Sequence, residues 1–274
     1  MRLRRLYTCF ALLTCVSLSG CSLFPPPVSN LEHDDSAKVT LDYKANRVIK
    51  PLDEYLHYGI PDYRKEAYDL LMRTCFRKYN LDFKSADLGI DGTGREYGMW
   101  NPEYTQKYGY LDRDKTTKVE GGIKEHFSEC QQYSYTELDK VSVRQHLTFA
   151  EDLSMKARAA AKTRPEWKQT KDEWRRCLKD QGLTPPEQDS GVWTKEGEGV
   201  MIRETLTDEE VRLATLEAEC AQKTQLAQKL GDLEASYQLP LIRNNESQLK
   251  EELKAYRATD DLYKQFIASF QENS

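Results

Sequence analysis

The sequence predicts a mainly α protein: two related, disulfide-linked helical units with long loops and a long kinked C-terminal helix. Three observations lead there. Apolar residues recur at three- and four-residue steps in several separate stretches. Four cysteines, Cys75, Cys130, Cys177 and Cys220, are spread widely through the body of the chain. The segment around Cys75 also repeats around Cys177. Met72-Arg73-Thr74-Cys75-Phe76 and Asn80-Leu81 align without gaps on Trp174-Arg175-Arg176-Cys177-Leu178 and Gly182-Leu183, and Glu129-Cys130 answers Glu219-Cys220. Self-similarity of this kind reads as a tandem duplication.

The chain opens with Arg2, Arg4 and Arg5, an apolar run from Leu6 to Leu18, and then Leu18-Ser19-Gly20-Cys21. A helix that spans a bilayer needs about 20 apolar residues, so this run is a leader and not a stable anchor. Residues 1–20 read as a lipoprotein signal peptide, with Cys21 acylated and left as the first mature residue. Its acyl chains make membrane lipid the first partner, at about 0.8 kcal/mol per buried CH₂. Residues 21–50 read as the lipidated N-terminus and a flexible tether, extended at Pro25-Pro26-Pro27. Residues 36–60 read as irregular, with Pro51-Leu52-Asp53, Tyr55 and Tyr58 packing locally.

The first helical unit covers residues 51–165. Tyr68, Leu71, Met72, Cys75, Phe76 and Tyr79 form one stripe of a helix over Asp62–Tyr79, closed by Asn80. Residues 81–115, rich in Gly, Tyr and Asp, read as a long loop. A second helix is expected from near Thr116, carrying Phe127 and Cys130 towards Ala161, with a break at Ser134-Tyr135. The second unit covers residues 166–274. Trp167–Asp180 reads as a helix with Trp174, Cys177 and Leu178 on one side, capped by Gly182 and stopped by Pro185-Pro186. Residues 183–206 read as a second loop. Thr207-Asp208-Glu209-Glu210 reads as a capping box that starts a helix through Leu213, Leu216 and Cys220. Leu226, Leu230, Leu233, Tyr237 and Leu241 continue as a heptad-like seam, kinked by Pro240; Leu249, Leu253, Tyr256, Phe266, Ile267 and Phe270 complete it.

Cys9 and Cys15 leave with the leader. Four remaining cysteines in an exported chain imply two disulfides, with three possible pairings. The repeat chooses among them, because Cys75–Cys130 and Cys177–Cys220 are the bonds that a single unit could make alone. Removing the leader leaves 37 basic against 45 acidic side chains, and the mean hydropathy of the chain is −0.76. This acidic balance argues against nucleic acid as a partner, and against a basic face that binds anionic lipid.

Sequence motifs for chemistry fail on inspection. Gly92 and Gly94 lack the strand, the spacing and the Lys-Ser/Thr of a phosphate loop. Asp87, Asp91, Asp112 and Asp114 share a loop region, but Gly89 stands where a calcium ligand belongs and Gly98 where the closing Glu belongs. His33, His57, His126 and His146 form no HExxH, and no GxSxG or catalytic Cys-His context occurs. The pairs Glu209-Glu210 and Glu251-Glu252 read as solvated charge. No cofactor or metal is implied. The best binding candidate is the aromatic run Tyr97, Trp100, Tyr104, Tyr108 and Tyr110, whose rings suit sugar stacking or protein contact as well as packing within the chain.

Pro51-Leu52-Asp53-x-Tyr55, followed by Ala67-Tyr68-x-Leu70-Leu71-x-x-x-Cys75, resembles the opening of an uncharacterised family of secreted or lipid-anchored helical proteins from actinobacteria. Tyr97-Gly98-Met99-Trp100 and Tyr108-Gly109-Tyr110 resemble its middle block. Trp174-x-x-Cys177-Leu178 and the stretch from Glu219-Cys220 to Tyr237-Gln238 resemble its later one. Phe76 and Asn80 depart from the pattern, where that family tends to have Met and Gly. The resemblance carries over no functional residues. It implies the outer face of the plasma membrane, where Ser22 alone would also allow an outer membrane, and it implies a cell-envelope protein as partner. The expectation is therefore a non-enzymatic, membrane-anchored accessory or binding lipoprotein associated with a transporter. The alternative is a receptor for a glycan that uses the aromatic loop 97–110.

Overall fold

The computed structural model describes residues 31–56, 63–83, 95–111, 123–142, 148–187, 192–201 and 205–272. Among these the chain is mainly helical: α1 (Tyr63–Arg77), α2 (Pro102–Tyr108), α3 (Ile123–Val141), α4 (Phe149–Lys162), α5 (Pro165–Asp180), α6 (Lys195–Met201), α7 (Asp208–Thr224) and α8 (Leu226–Glu272). A small antiparallel hairpin precedes them, β1 (Thr40–Asp42) on β2 (Arg47–Ile49), with Leu41 opposite Val48. It lies where the sequence suggested irregular chain. Asp42 Oδ1 accepts from Ala45 N–H at 2.9 Å and Asn46 takes a positive φ of 53°, which together close the turn. A 3-10 turn at Pro51–Glu54 ends this N-terminal strap.

Both disulfides join residues within the expected units, Cys75 to Cys130 and Cys177 to Cys220. The first staples α1 to α3 and the second α5 to α7. The helices that carry Cys75 and Cys177 also end alike. Leu81 N–H donates to Phe76 C=O at 3.1 Å, and Leu183 N–H to Leu178 C=O at 2.9 Å. Asn80 and Gly182 bond back to Arg77 and Lys179 with positive φ of 55° and 76°. These are the two bonds of a Schellman cap, which needs a residue that tolerates the left-handed region.

Several boundaries differ from expectation. α2 and α6 lie inside the two segments read as loops, and each has seven residues, too few to show a helical period. The expected helix from Thr116 to Ala161 is two helices. No break occurs at Ser134, whose buried hydroxyl donates to Cys130 C=O at 2.8 Å and is absorbed into α3. α7 and α8 are separated by Gln225 in the left-handed conformation, φ 55°. Glu210 does not complete the capping box. Thr207 caps α7 by accepting from Glu210 N–H, but the Glu210 carboxylate turns inward to accept from Tyr110 N–H at 3.2 Å.

α8 leaves helical geometry at Asn245 (φ −129°, ψ 17°), five residues beyond the expected kink at Pro240. Pro240 has no N–H for the carbonyl of Ser236, four residues back. That carbonyl instead accepts from Asp34 N–H of the strap at 2.8 Å, so the helix continues. At Asn245 the side-chain amide donates to Leu241 C=O at 2.8 Å, supplying locally a bond that the turned backbone gives up.

The cores do not divide at residue 165. The largest cluster combines Val39 and Val48 of the strap, Tyr97 to Tyr110, and inward residues of α4, α5, α7 and the first arm of α8. A second region packs α1, α3 and the far arm of α8 around Leu71, Phe76, Leu138 and Tyr263. Leu52, Tyr55, Ala150, Leu153 and Leu249 form a smaller cluster around the 3-10 turn, α4 and α8. α8 therefore runs through both regions, and the residues between α1 and α5 are shared between them. Gly231 is needed for its closeness to the strap, because a Cβ there would meet Val39 Cγ2 at 2.8 Å.

The Cys177–Cys220 bond closes a loop of 43 residues, worth about 4 kcal/mol on the chain-entropy model. Replacing both cysteines by serine should lower the unfolding free energy in urea by that order. A loss under about 1 kcal/mol would show that the helices around it hold each other without the staple.

Candidate functional site

Around Glu234 of α8, four segments distant in sequence meet through buried charge. Lys50, at the end of the hairpin, brings its ammonium to 2.9 and 2.7 Å from the two Glu96 carboxylate oxygens and 3.3 Å from Glu234 Oε1. Arg158 of α4 donates from Nη1 to Glu96 Oε2 at 3.1 Å and to Glu234 Oε2 at 3.0 Å, and from Nη2 to the Glu96 carbonyl at 2.9 Å. Tyr97 donates its hydroxyl to Glu234 Oε2 at 2.8 Å. The guanidinium of Arg158 sits 5.1 Å above the Tyr97 ring and 5.9 Å from that of Trp167. One turn on, Gln238 accepts from Leu52 N–H at 3.0 Å, while Asp53 accepts from Lys50 N–H at 2.9 Å and faces Arg47 at 3.6 Å.

Only 1% of the Glu234 side chain and 5% of that of Lys50 reach solvent. Burial pushes the Glu96 carboxyl from its ordinary 4.5 up to about 7; Lys50 opposes the rise and the neighbouring Glu234 adds to it. Burial also raises Asp53. It works against the charge on Lys50, but Glu234 and Glu96 outweigh it and hold that pKa above the lysine value. The arrangement matches charge with charge, while Asp53 Oδ1 at its edge is buried without a hydrogen-bond partner. Chemically it locks the strap, the Glu96-Tyr97 segment, α4 and α8 in one register.

The aromatic segment is absorbed into the same architecture. Tyr97, Trp100 and Tyr110 are 1%, 2% and 0% exposed. Trp100 meets Tyr43 edge-on at 5.2 Å, and Tyr110 meets Trp193 at 6.0 Å. The Tyr110 hydroxyl donates to Glu217 Oε1 at 2.6 Å, within a pocket where Thr194 donates to the same oxygen from its N–H at 3.0 Å and from its hydroxyl. Burial raises the pKa of Glu217, whose Oε2 has no hydrogen-bond partner. Of the two readings of this run, packing within the chain holds for Tyr97, Trp100 and Tyr110. Three of its five members are core, because their hydroxyls find buried carboxylates or their faces find other rings. Tyr104 and Tyr108 of α2 stay half-buried as a tilted pair with centroids 4.9 Å apart.

No protein family model, no curated protein and no solved structure matches this chain.

The remaining candidates separate similarly. His33 packs against the Tyr237 ring at 5.5 Å, and His126 stacks on Tyr79 at 3.6 Å while Tyr79 donates to Glu129 at 2.7 Å. His57, His146, Gly89, Gly92, Gly94, Asp87, Asp91, Asp112, Asp114 and Cys21 lie outside the described residues. Among the described residues no three His, Cys, Asp or Glu side chains are placed to hold a metal ion. Glu209 is solvated and pairs with Arg212 at 2.8 Å. Glu252 is not free charge: its oxygens accept from Phe149 N–H at 2.6 Å and Ala150 N–H at 3.0 Å, holding the start of α4. The ionic centre itself was missed in the sequence.

Glu234→Ala should cost about 3–5 kcal/mol in urea unfolding, because it strands Lys50 and Arg158 with one buried carboxylate between them. Glu209→Ala on the surface should cost under about 1 kcal/mol; equal losses for the two would refute the centre's role. Stability should also fall as pH rises from about 5 to 8. Glu96, Asp53 and Glu217 have folded pKa values above their ordinary ones, so the folded chain holds protons that the unfolded chain has released. The Glu96 contribution, up to about 3 kcal/mol, is complete below its ordinary 4.5 and is lost through about 7, and Asp53 and Glu217 act in the same direction. Glu166, Asp172 and Glu173 are lowered by partner cations and act oppositely, losing their contribution as the solution is made more acidic. A calorimetric melting temperature that climbs steadily from pH 5 to 8 would contradict this.

Proposed function

We propose that the chain is a surface lipoprotein, held on the extracytoplasmic face of the cell membrane through acylated Cys21, and that its role is non-enzymatic. The observation that carries the reading is the run from Arg2 to Cys21, which ends in Leu18-Ser19-Gly20-Cys21. The two disulfides support it, since such bonds persist in oxidising compartments. The strap supports it too. The chain that follows the anchor joins the body through Val39, Val48 and the Lys50 contacts, so the body hangs from one fixed point of its own surface. Presentation suits an accessory protein that meets a second envelope protein, a transporter in the reading favoured by the resemblance.

Among the described residues no helix is long and apolar enough to cross a membrane. Three rings of the aromatic run are engaged in packing: Tyr97 with Glu234, Tyr110 with Glu217, and Trp100 with Tyr43. The glycan-receptor alternative keeps only Tyr104 and Tyr108 of its rings at the surface.

Cys21→Ala should move the protein from the membrane fraction to the medium, and continued membrane fractionation would overturn the anchor. Crosslinking on intact cells with mass spectrometry should enrich one envelope protein reproducibly. A spread of abundant surface proteins with none enriched would count against the accessory role.

A further inference from the structure

The acidic balance of the mature chain argues against an anionic partner, but the charges are not evenly spread. α5 presents a shallow open groove lined by Pro165, Lys168, Asp172, Arg175, Arg176 and Lys179, with Gln169 completing it. Lys168, Asp172, Arg175, Arg176 and Lys179 follow one another at helical spacing along a single face. Among the described residues that line it, four cations stand against one carboxylate, Asp172, shared between Lys168 at 2.5 Å and Arg175 at 3.3 Å, and Glu173 beside the groove acts on Arg176.

The position of this face gives the excess charge its meaning. Arg164, directly before α5, pairs with Asp35 of the strap at 3.6 Å, and His33 lies on Tyr237 nearby. The strap therefore enters the body beside Pro165, at the end where the groove begins. From Cys21 to Leu31 there are ten residue steps, which reach at most about 35 Å. α5 is about 24 Å long, so the anchor's reach covers the whole groove.

We propose that the basic face of α5 is a docking surface for the anionic headgroups of the bilayer that holds the anchor. This rests on the lipoprotein reading, because the proximity comes from Cys21. Phosphate-bearing headgroups offer many negative charges at one level, which suits a row of side chains along one helix better than a single acidic pocket would. Docking there lays α5 along the membrane and turns α8, on the far side of α5's buried Trp174 face, towards the exterior.

The test separates the two readings. The full mature chain carrying Cys21→Ala, which has no acyl group, is mixed at low salt with vesicles of phosphatidylcholine alone or containing phosphatidylglycerol, and sedimented. Binding to the anionic vesicles should exceed binding to neutral ones and disappear in high salt. Lys168→Glu, Arg176→Glu and Lys179→Glu together should reduce it at least tenfold, given about fivefold for each cation near an anionic surface. An unchanged circular dichroism melt confirms that this surface variant folds. Equal binding to both vesicle types, or an undiminished triple variant, overturns the docking surface. So does retention by soluble polyglutamate without retention by vesicles, which would assign the face to an acidic protein. The mass of Cys21 in the native protein tests the anchor separately: an unmodified thiol overturns the anchor whatever the vesicles show.

Discussion

Two glutamates and two cations packed against one another, with Glu234 and Lys50 almost out of reach of solvent, set the arrangement of this protein. Glu96, Glu234, Lys50 and Arg158 come from four segments, and none can leave without stranding a partner in a medium that solvates charge poorly. Such a cluster is a weak source of net stability, since each ion loses its hydration on entering the interior. Its effect is on arrangement: apolar surfaces slide with little change in energy, whereas this geometry is satisfied in only one register. Tyr97, fixed by Glu234 and covered by Arg158, extends that register into the aromatic segment.

α8 is the element on which the rest converges. Its first arm receives the strap, α4, α5 and α7, and its second arm receives α1 and α3. The helix is kept long across Pro240 by a bond from outside itself, Asp34 N–H to Ser236 C=O. A proline that would interrupt an isolated helix here opens an acceptor that the strap fills. Glu252, beyond the break at Asn245, closes the arrangement by holding the first turn of α4. α1 and α3 join the second arm, whereas α4 packs against both arms and so spans the change of direction at Asn245.

Much of this was legible in the sequence where signals are local and long. α1 and α5 carry clear apolar stripes over four turns, and their caps, Asn80 and Gly182, stand where the stripes stop. The disulfide pairing followed from a repeat that preserves Cys75 and Cys177 in the same frame. What stayed hidden was short or distant. β1 and β2 have three residues each, and α2 and α6 have seven, fewer than a period needs to show itself. The break at Asn245 was displaced from Pro240 because a neighbour 202 positions away, Asp34, satisfies the exposed carbonyl. The ionic centre joins residues as far apart as Lys50 and Glu234, 184 positions, and each looks like ordinary surface charge within its own window. The aromatic run was visible, but a row of tyrosines reads alike whether its rings face water or carboxylates. Only the tertiary arrangement, with Glu217 and Glu234 beneath Tyr110 and Tyr97, decides it.

The strap has a mechanical consequence. It lies alongside the first arm of α8, with Val39 N–H on Asp232, Val39 C=O on Gln228, and Asp34 on Ser236 and Arg243. When a chain is held at its N-terminus and its body is pulled away, the load enters at Asp34 and runs lengthwise along these bonds. A pull along the axis of α8 would strain them together in shear, the geometry in which hydrogen bonds resist force best. Behind them Lys50 has to be dragged out of its carboxylates before tension can reach either disulfide unit. The chain that leads into the body is therefore fastened along the first arm of its longest helix, before it reaches the helices that carry the disulfides.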